Sequence, residues 1–220
     1  MKLEFPGVTA TVSSELMVLS SDRRLRALAS AVVGGGFSYP RCIISRHVSK
    51  DYHHAHPESD LRAFAASQGI GEPFVGLMTA VYLDKARVAS VQDRDLIVSA
   101  IVTVGVGNPT APGLSAPASL TPGTINLILL VDAQLTPAAM VNAIITATEA
   151  KTQLVLERGL RTPEGYPASG TSSDAVVVAS TQRGDTCAYA GPATRVGWLI
   201  GRSLRQSRRA GRQALQAALA

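Results

Sequence analysis

The stretch Thr121–Thr152, T-P-G-T-I-N-L-I-L-L-V-D-A-Q-L-T-P-A-A-M-V-N-A-I-I-T-A-T-E-A-K-T, decides how the rest of the chain is read. From Thr124 to Val131 an almost unbroken apolar run follows a Pro-Gly turn, which is the pattern of a buried strand. Thr136 and Pro137 then mark a helix start. A threonine hydroxyl can accept from the first free amides, and proline at the first helical position sacrifices no hydrogen bond. Projected at about 100° per residue, Met140, Val141, Ile144, Ile145 and Val155 share one stripe. Thr148, Lys151 and Thr152 fall on the same stripe, with Glu149 at its edge. A plain core-facing helix would carry alanine or leucine there, because buried polar groups are costly without partners. The alternative is that Lys151 snorkels and the threonines bond back to their own backbone.

Working outward, Val8–Val12 and Leu16–Leu19 read as two short strands around a turn. Asp22–Val33 places Leu25, Leu28, Ala29 and Val32 at helical spacing before the triple glycine Gly34–Gly36. Cys42–Val48 reads as a strand, and Glu58–Ser67 as a short amphipathic helix closed by Gly69. Pro73–Tyr82, Arg87–Val91 and Asp95–Val106 read as strands, expected to be antiparallel because their connections are short. Pro109–Pro122 is a Pro/Ala/Ser/Gly loop of a length that often covers a site. Strands at Ala175–Ser180 and Thr186–Ala190 precede a last helix from Thr194, read as a basic helix over about 194–219. There is no repeat and no linker. The expected architecture is one α+β domain spanning 1–220, with a largely antiparallel or mixed sheet and packed helices.

Composition narrows the classes of function. At 220 residues, with 46% hydrophobic and 17% charged residues, the chain can bury a sizeable core and is not of disordered type. No apolar run reaches the roughly 18–20 residues of a membrane helix, and M-K-L-E-F-P-G does not open like a signal peptide. A cytoplasmic protein with reduced Cys42 and Cys187 is expected. The net charge of +5 is local: Arg195, Arg202, Arg205, Arg208, Arg209 and Arg212 crowd the C-terminal helix. Without those six, 15 basic residues face 16 acidic ones over the rest of the chain. A solvated helix face is the expected reading of that tail rather than a nucleic-acid surface.

G-T-I-N-L-I-L-L-V-D, L-T-P-A-A-M-V-N-A-I-I-T-A-T-E-A-K-T, S-G-T-S-S-D-A-V-V-V-A-S and Y-A-G-P resemble the signature blocks of the adenosylcobinamide amidohydrolase family of corrinoid salvage. Gly34-Gly35-Gly36-Phe37, Arg46-His47-Val48, Val75–Ala80 and Thr103–Asn108 fit the same pattern in order, over roughly residues 17 to 205. The family usually has alanine where Val104 stands, and a T-G-T-G-T-D-like stretch where this chain has Ser169–Asp174. The resemblance implies hydrolysis of the amide that joins aminopropanol to the corrin side chain, giving adenosylcobyric acid. It implies no added cofactor, because the corrinoid with its cobalt is the substrate. A corrinoid-binding module without chemistry is the alternative. No membrane or nucleic-acid partner is expected, and an assembly of identical chains is left open.

Amide hydrolysis needs a nucleophile, stabilisation of a tetrahedral oxyanion and a proton for the leaving amine. Within the matched blocks the titratable candidates for catalysis are Glu149, His47 and Asp174. Glu149 could activate water; His47 ends a strand, where acid/base groups often sit; Asp174 opens a strand and could equally cap its loop. Substrate binding is assigned to Asn108, Thr124, Asn126, Thr148, Lys151, Gly170, Thr171 and Ser173. Thr103 is a further hydroxyl in a matched block. His53, His54 and His56 lack a carboxylate on a rigid element, so no metal site is expected. G-V-G-N-P lacks the third glycine of a dinucleotide fingerprint, and no phosphate-binding loop or G-x-S-x-G elbow is present.

Overall fold

The computed structural model describes residues 2–117 and 123–209. β1 (Val8–Val12) and β2 (Leu16–Ser21) form a hairpin, and β3 (Arg26–Ala29) and β4 (Gly36–Ser38) follow. β5 (Cys42–His47), α1 (Pro57–Ser67) and β6 (Phe74–Thr79) make a parallel crossover unit. β7 (Arg87–Asp93) and β8 (Leu96–Val104) form a second hairpin, and the two-residue β9 (Pro109–Thr110) comes next. β10 (Ile125–Val131), the short β11 (Gln134–Leu135) and α2 (Pro137–Leu156) form the central block. β12 (Gly170–Thr171), β13 (Ala175–Ser180), β14 (Thr186–Cys187) and α3 (Arg195–Arg209) complete the described chain.

Two sheets stack face to face. One has the order β1-β2-β5-β6, the other β4-β3-β13-β10-β8-β7. Alternation along the strands shows how the layers pack. In β10, Ile128 and Leu130 enter the core between the sheets with Met17, Leu19, Ile43 and Leu77. Leu127, Leu129 and Val131 point the other way, under α2 and α3. On the far side of the four-stranded sheet, Ile44 and Phe74 pack on Leu61 and Ala65 of α1. The order of layers is therefore helix, sheet, sheet, helix pair. All seven residues of β10 are buried, as expected of a strand covered on both faces.

Thr136 caps α2, its Oγ1 accepting from the Ala139 amide at 3.1 Å, with Pro137 at the first helical position. Such a cap contributes about 1 kcal/mol. The face that α2 turns to the sheet is made of small residues, Ala139, Ala143, Ala147 and Ala150, with Met140. Small side chains let the helix sit close to β13 and β10. Val141 and Ile145 remain 47% and 49% exposed. Of the stripe expected to face the core, Met140 and Val155 are buried and Ile144 packs against the core, whereas Val141 and Ile145 lie on an open flank.

Two further expectations are corrected. Asp22–Val33 is not a helix: β3 runs antiparallel to β13, with Leu28 opposite Val178. Leu25, Ala27 and Ala29 enter the inter-sheet core while Leu28 packs against the other one. A strand with apolar residues on both faces can imitate helical spacing. The expected antiparallel neighbour relation of Pro73–Tyr82 also fails. β6 lies in the other sheet, parallel to β5, because the intervening helix provides the long crossover that a parallel pair requires. Part of the expected Pro109–Pro122 loop, and the part of the expected C-terminal helix after residue 209, lie outside the described residues.

Candidate active site

α2 runs back antiparallel to β10, so its C-terminal half returns to the end of the sheet where β10 and β13 begin. Lys151 and Asp174 meet there, Nζ to Oδ2 at 2.5 Å, with only 12% and 13% of the two side chains exposed. The carboxylate is held by four donors. Oδ2 takes Lys151 and the Thr171 amide at 3.2 Å, while Oδ1 takes the Ile125 amide at 3.0 Å and the Thr171 hydroxyl. A carboxylate so crowded with donors is fixed in place, and it anchors the strand starts of β10 and β13 to α2.

Hydroxyls and amides surround this pair. Thr124 Oγ1 and Ser173 Oγ are 2.7 Å apart, and Asn108 Nδ2 donates to Ser172 Oγ at 2.5 Å. Asn126 Nδ2 donates to the Met78 carbonyl at 2.9 Å and so ties this end of β10 to β6 of the opposite sheet. Two glycines make room. A Cβ on Gly170 would collide with Asp174 Oδ2 and Lys151 Nζ, and one on Gly123 would collide with Asn108 Oδ1. The open flank of α2 leads into the cluster: Val141, Ile145 and Thr148 are exposed along it, and Thr152 donates to the Ser169 carbonyl at 3.3 Å.

A mostly buried carboxylate–ammonium pair ringed by serine and threonine hydroxyls is suited to acyl-transfer chemistry. It offers hydroxyl nucleophiles, neutral donors for an oxyanion and an ammonium group beside them. The family model described as adenosylcobinamide amidohydrolase matches residues 5–219, which include every member of this cluster. The chain belongs to that family of amide-bond hydrolases. An adenosylcobinamide amidohydrolase of Methanosarcina mazei is 34% identical over 166 residues, which cover 76% of this chain and 73% of that protein. One of Halobacterium salinarum is 36% identical over 141 residues, 61% of this chain and 56% of the relative. Among solved structures, a Burkholderia sp. beta-aminopeptidase superposes with TM-score 0.50 at 12% identity, covering 92% of this chain and 83% of that one. The PH0078 protein from Pyrococcus horikoshii OT3 has TM-score 0.49 at 12% identity, covering 93% and 78%. At such identity the likeness to the aminopeptidase speaks for the fold alone.

Eight of the residues singled out in this amidohydrolase-family sequence come together: Asn108, Thr124, Asn126, Lys151, Gly170, Thr171, Ser173 and Asp174. Thr148 stands one helical turn before Lys151, on the open flank. Glu149 and His47 lie elsewhere. Glu149 is exposed in a groove of about 430 Å³ between α2 and α3, lined by Gln153, Trp198, Arg202 and Arg205 among others. His47 ends β5 beside Thr79 and stacks on Tyr82, ring centroids 4.2 Å apart. In the polar loop, His54 Nδ1 accepts from the His56 amide at 3.0 Å. The reading from sequence missed Ser172 and Gly123. The S-G-T-S-S-D block signalled the first, and the Pro-Gly turn before Thr124 the second.

The basic helix is partly neutralised by its own neighbours. Arg195 pairs with Asp93 and Asp95, Arg205 with Glu157 and Gln153, and Arg202 lies 5.0 Å from the Trp198 ring centre. Among the described residues no helix is long and apolar enough to cross a membrane.

Proposed function

We propose that the protein hydrolyses the aminopropanol amide of adenosylcobinamide at the Lys151–Asp174 cluster, releasing aminopropanol and leaving adenosylcobyric acid, as a step in salvage of cobalamin precursors. The observation that carries this reading is the family match, whose range of residues 5–219 includes the cluster. In the reaction, water supplies OH to the carbonyl carbon, the C–N bond breaks, and a proton goes to the departing amine. Lys151 is the cationic donor placed to assist that departure. The hydroxyls of Thr124, Ser172 and Ser173 and the amide of Asn108 are the neutral groups placed to position water and to stabilise the oxyanion. Asp174 orients Lys151 and Thr171 rather than acting as a free base, because its oxygens are already engaged. Nothing in this scheme calls for ATP or a nicotinamide. The corrinoid, cobalt included, is the substrate. We place the enzyme in the cytoplasm.

The test is direct. Purified protein incubated with adenosylcobinamide alone is expected to release aminopropanol stoichiometrically with loss of substrate. Binding of the corrinoid with no release, or an absolute need for a nucleoside triphosphate, contradicts the reading.

A further inference from the structure

Glu149 and the Y-A-G-P segment Tyr189–Pro192, which the candidate site leaves unused, meet on the helix pair. Thr146 of α2 donates to the Ala190 carbonyl, and Pro192 lines the groove that holds Glu149. α3 runs alongside α2 in the same direction. Trp198 stands with Thr146 and Glu149 in the groove, and further along both helices Arg205 bonds to Gln153 and Glu157. Gly197 lets α3 close on the Y-A-G-P segment, because a Cβ there would collide with the Gly191 carbonyl.

A helix pair that meets only solvent is expected to turn polar residues outward. This one turns out apolar side chains. Ile145 stands one turn before Glu149 and Leu156 two turns after it, on one stripe of α2, and both are about half exposed. Trp198 is 52% exposed and Tyr189 68%. Apolar side chains gathered on one surface and rimmed by charge mark interaction sites, and interfaces draw most of their energy from Trp, Tyr and Arg. The charges on this face are of both signs. Glu149 and Arg202 stand on opposite walls of the groove, both exposed. Among the described residues neither is in an ion pair, and Arg202 lies over the Trp198 ring. A carboxylate on one helix and a guanidinium on the other make a face that is complementary to itself.

We infer that this face of α2 and α3 is the interface of a symmetric dimer, its occupant a second copy of the chain. A two-fold axis along the groove lays α2 of each copy over α3 of the other. Glu149 then meets Arg202 of the second copy, and Ile145 meets its Trp198. Lys151 lies on the opposite flank of α2, so the inference does not depend on the reaction proposed above.

The full chain tests it. Sedimentation is expected to show a dimer that dissociates on dilution. Trp198 is the only tryptophan, so its emission reports on this face and is expected to move to shorter wavelength as the dimer forms. Glu149→Arg sets like charges together and is expected to weaken association roughly tenfold or more, and adding Arg202→Glu to restore it. Both residues are exposed, and circular dichroism checks that the variants fold. A monomer overturns the inference. So does a chain that dimerises only when residues 210–220 are removed, which would mean that its own end takes this face. A dimer with unchanged Trp198 emission, a Glu149→Arg protein that associates as before, or a double variant that fails to recover puts the contact elsewhere and overturns it too.

Discussion

Lys151 and Glu149 stand two residues apart on α2 and belong to different surfaces. Lys151 leaves the helix on the flank away from α3 and ends in an ion pair that is mostly buried with Asp174. Glu149 leaves it on the flank toward α3 and ends in an open groove beside Trp198 and Arg202. A helix turns about 200° over two residues, so neighbours in sequence are divided between two sides of the molecule. The difference teaches that one motif, E-A-K, carries one residue of the candidate site and one of a helix–helix seam. The seam is built for packing: Thr146 donates to the Ala190 carbonyl at 2.8 Å there, and Arg205 reaches across to Glu157. The site end is built around a charge pair and hydroxyls.

The comparison breaks most readily at the ion pair. Lys151→Met leaves Asp174 with an uncompensated charge in a largely buried place. Removing one partner of such a pair costs about 3–5 kcal/mol, to be read from chemical denaturation. Adding Asp174→Asn to that variant is expected to restore much of the stability without restoring turnover. Full recovery of both would show the pair to be structural only. Gly170→Ala should act next most strongly, because its methyl group collides with both members of the pair. A loss of at least tenfold in kcat, about 1.4 kcal/mol of barrier, is expected. An unchanged rate would mean that the pair can move without consequence.

His47 sharpens the contrast at intermediate scale. It sits on the opposite sheet, connected to the cluster only through β6, whose Met78 carbonyl holds Asn126. His47→Ala is expected to reduce kcat/KM by less than tenfold, and a pH–rate profile is the check. A limb of the profile that disappears in the variant would instead place the imidazole in the chemistry.

The smallest effect belongs to Asp60, far from either flank. The Tyr52 hydroxyl, then the charge of Arg46, hold its carboxyl below the ordinary 3.8 against the opposing pull of burial. A depressed folded value means that the stabilisation is present above 3.8 and is lost as pH falls through the lower, folded value. Asp60→Asn should therefore lower Tm slightly at neutral pH, and the difference from the unaltered protein should vanish in strong acid. A difference that persists at low pH would assign the loss to the packing of Arg46 over the Phe64 ring, 4.2 Å from its centre, and not to charge.

Much of the fold was legible because local signals agreed. The apolar run of β10, the Thr136–Pro137 start of α2 and the apolar A-V-V-V-A of β13 each have one physical reading, and the structure bears them out. Alanine hid the rest. On α2 Val141 and Ile145 lie on the open flank while Ala139, Ala143, Ala147 and Ala150 join Met140 and Val155 on the packed face, so a projection weighted by size is rotated from the true one. On β3, the spacing makes Leu28 read as a helical partner of Leu25, yet it faces the opposite layer. The cluster at Asp174 was legible in its members and not in its geometry. No spacing in sequence reveals that β10 and β13 start side by side, or that α2 returns over them.

The most direct test of the account is aminopropanol release from adenosylcobinamide by Lys151→Gln and Glu149→Gln, each shown to be folded. A chemical centre at Lys151–Asp174 predicts that Lys151→Gln loses at least a hundredfold in kcat, about 2.7 kcal/mol, while Glu149→Gln keeps more than a tenth of the rate. The reverse order, with Glu149→Gln inactive and Lys151→Gln active, would move the reaction to the groove between α2 and α3 and contradict the account.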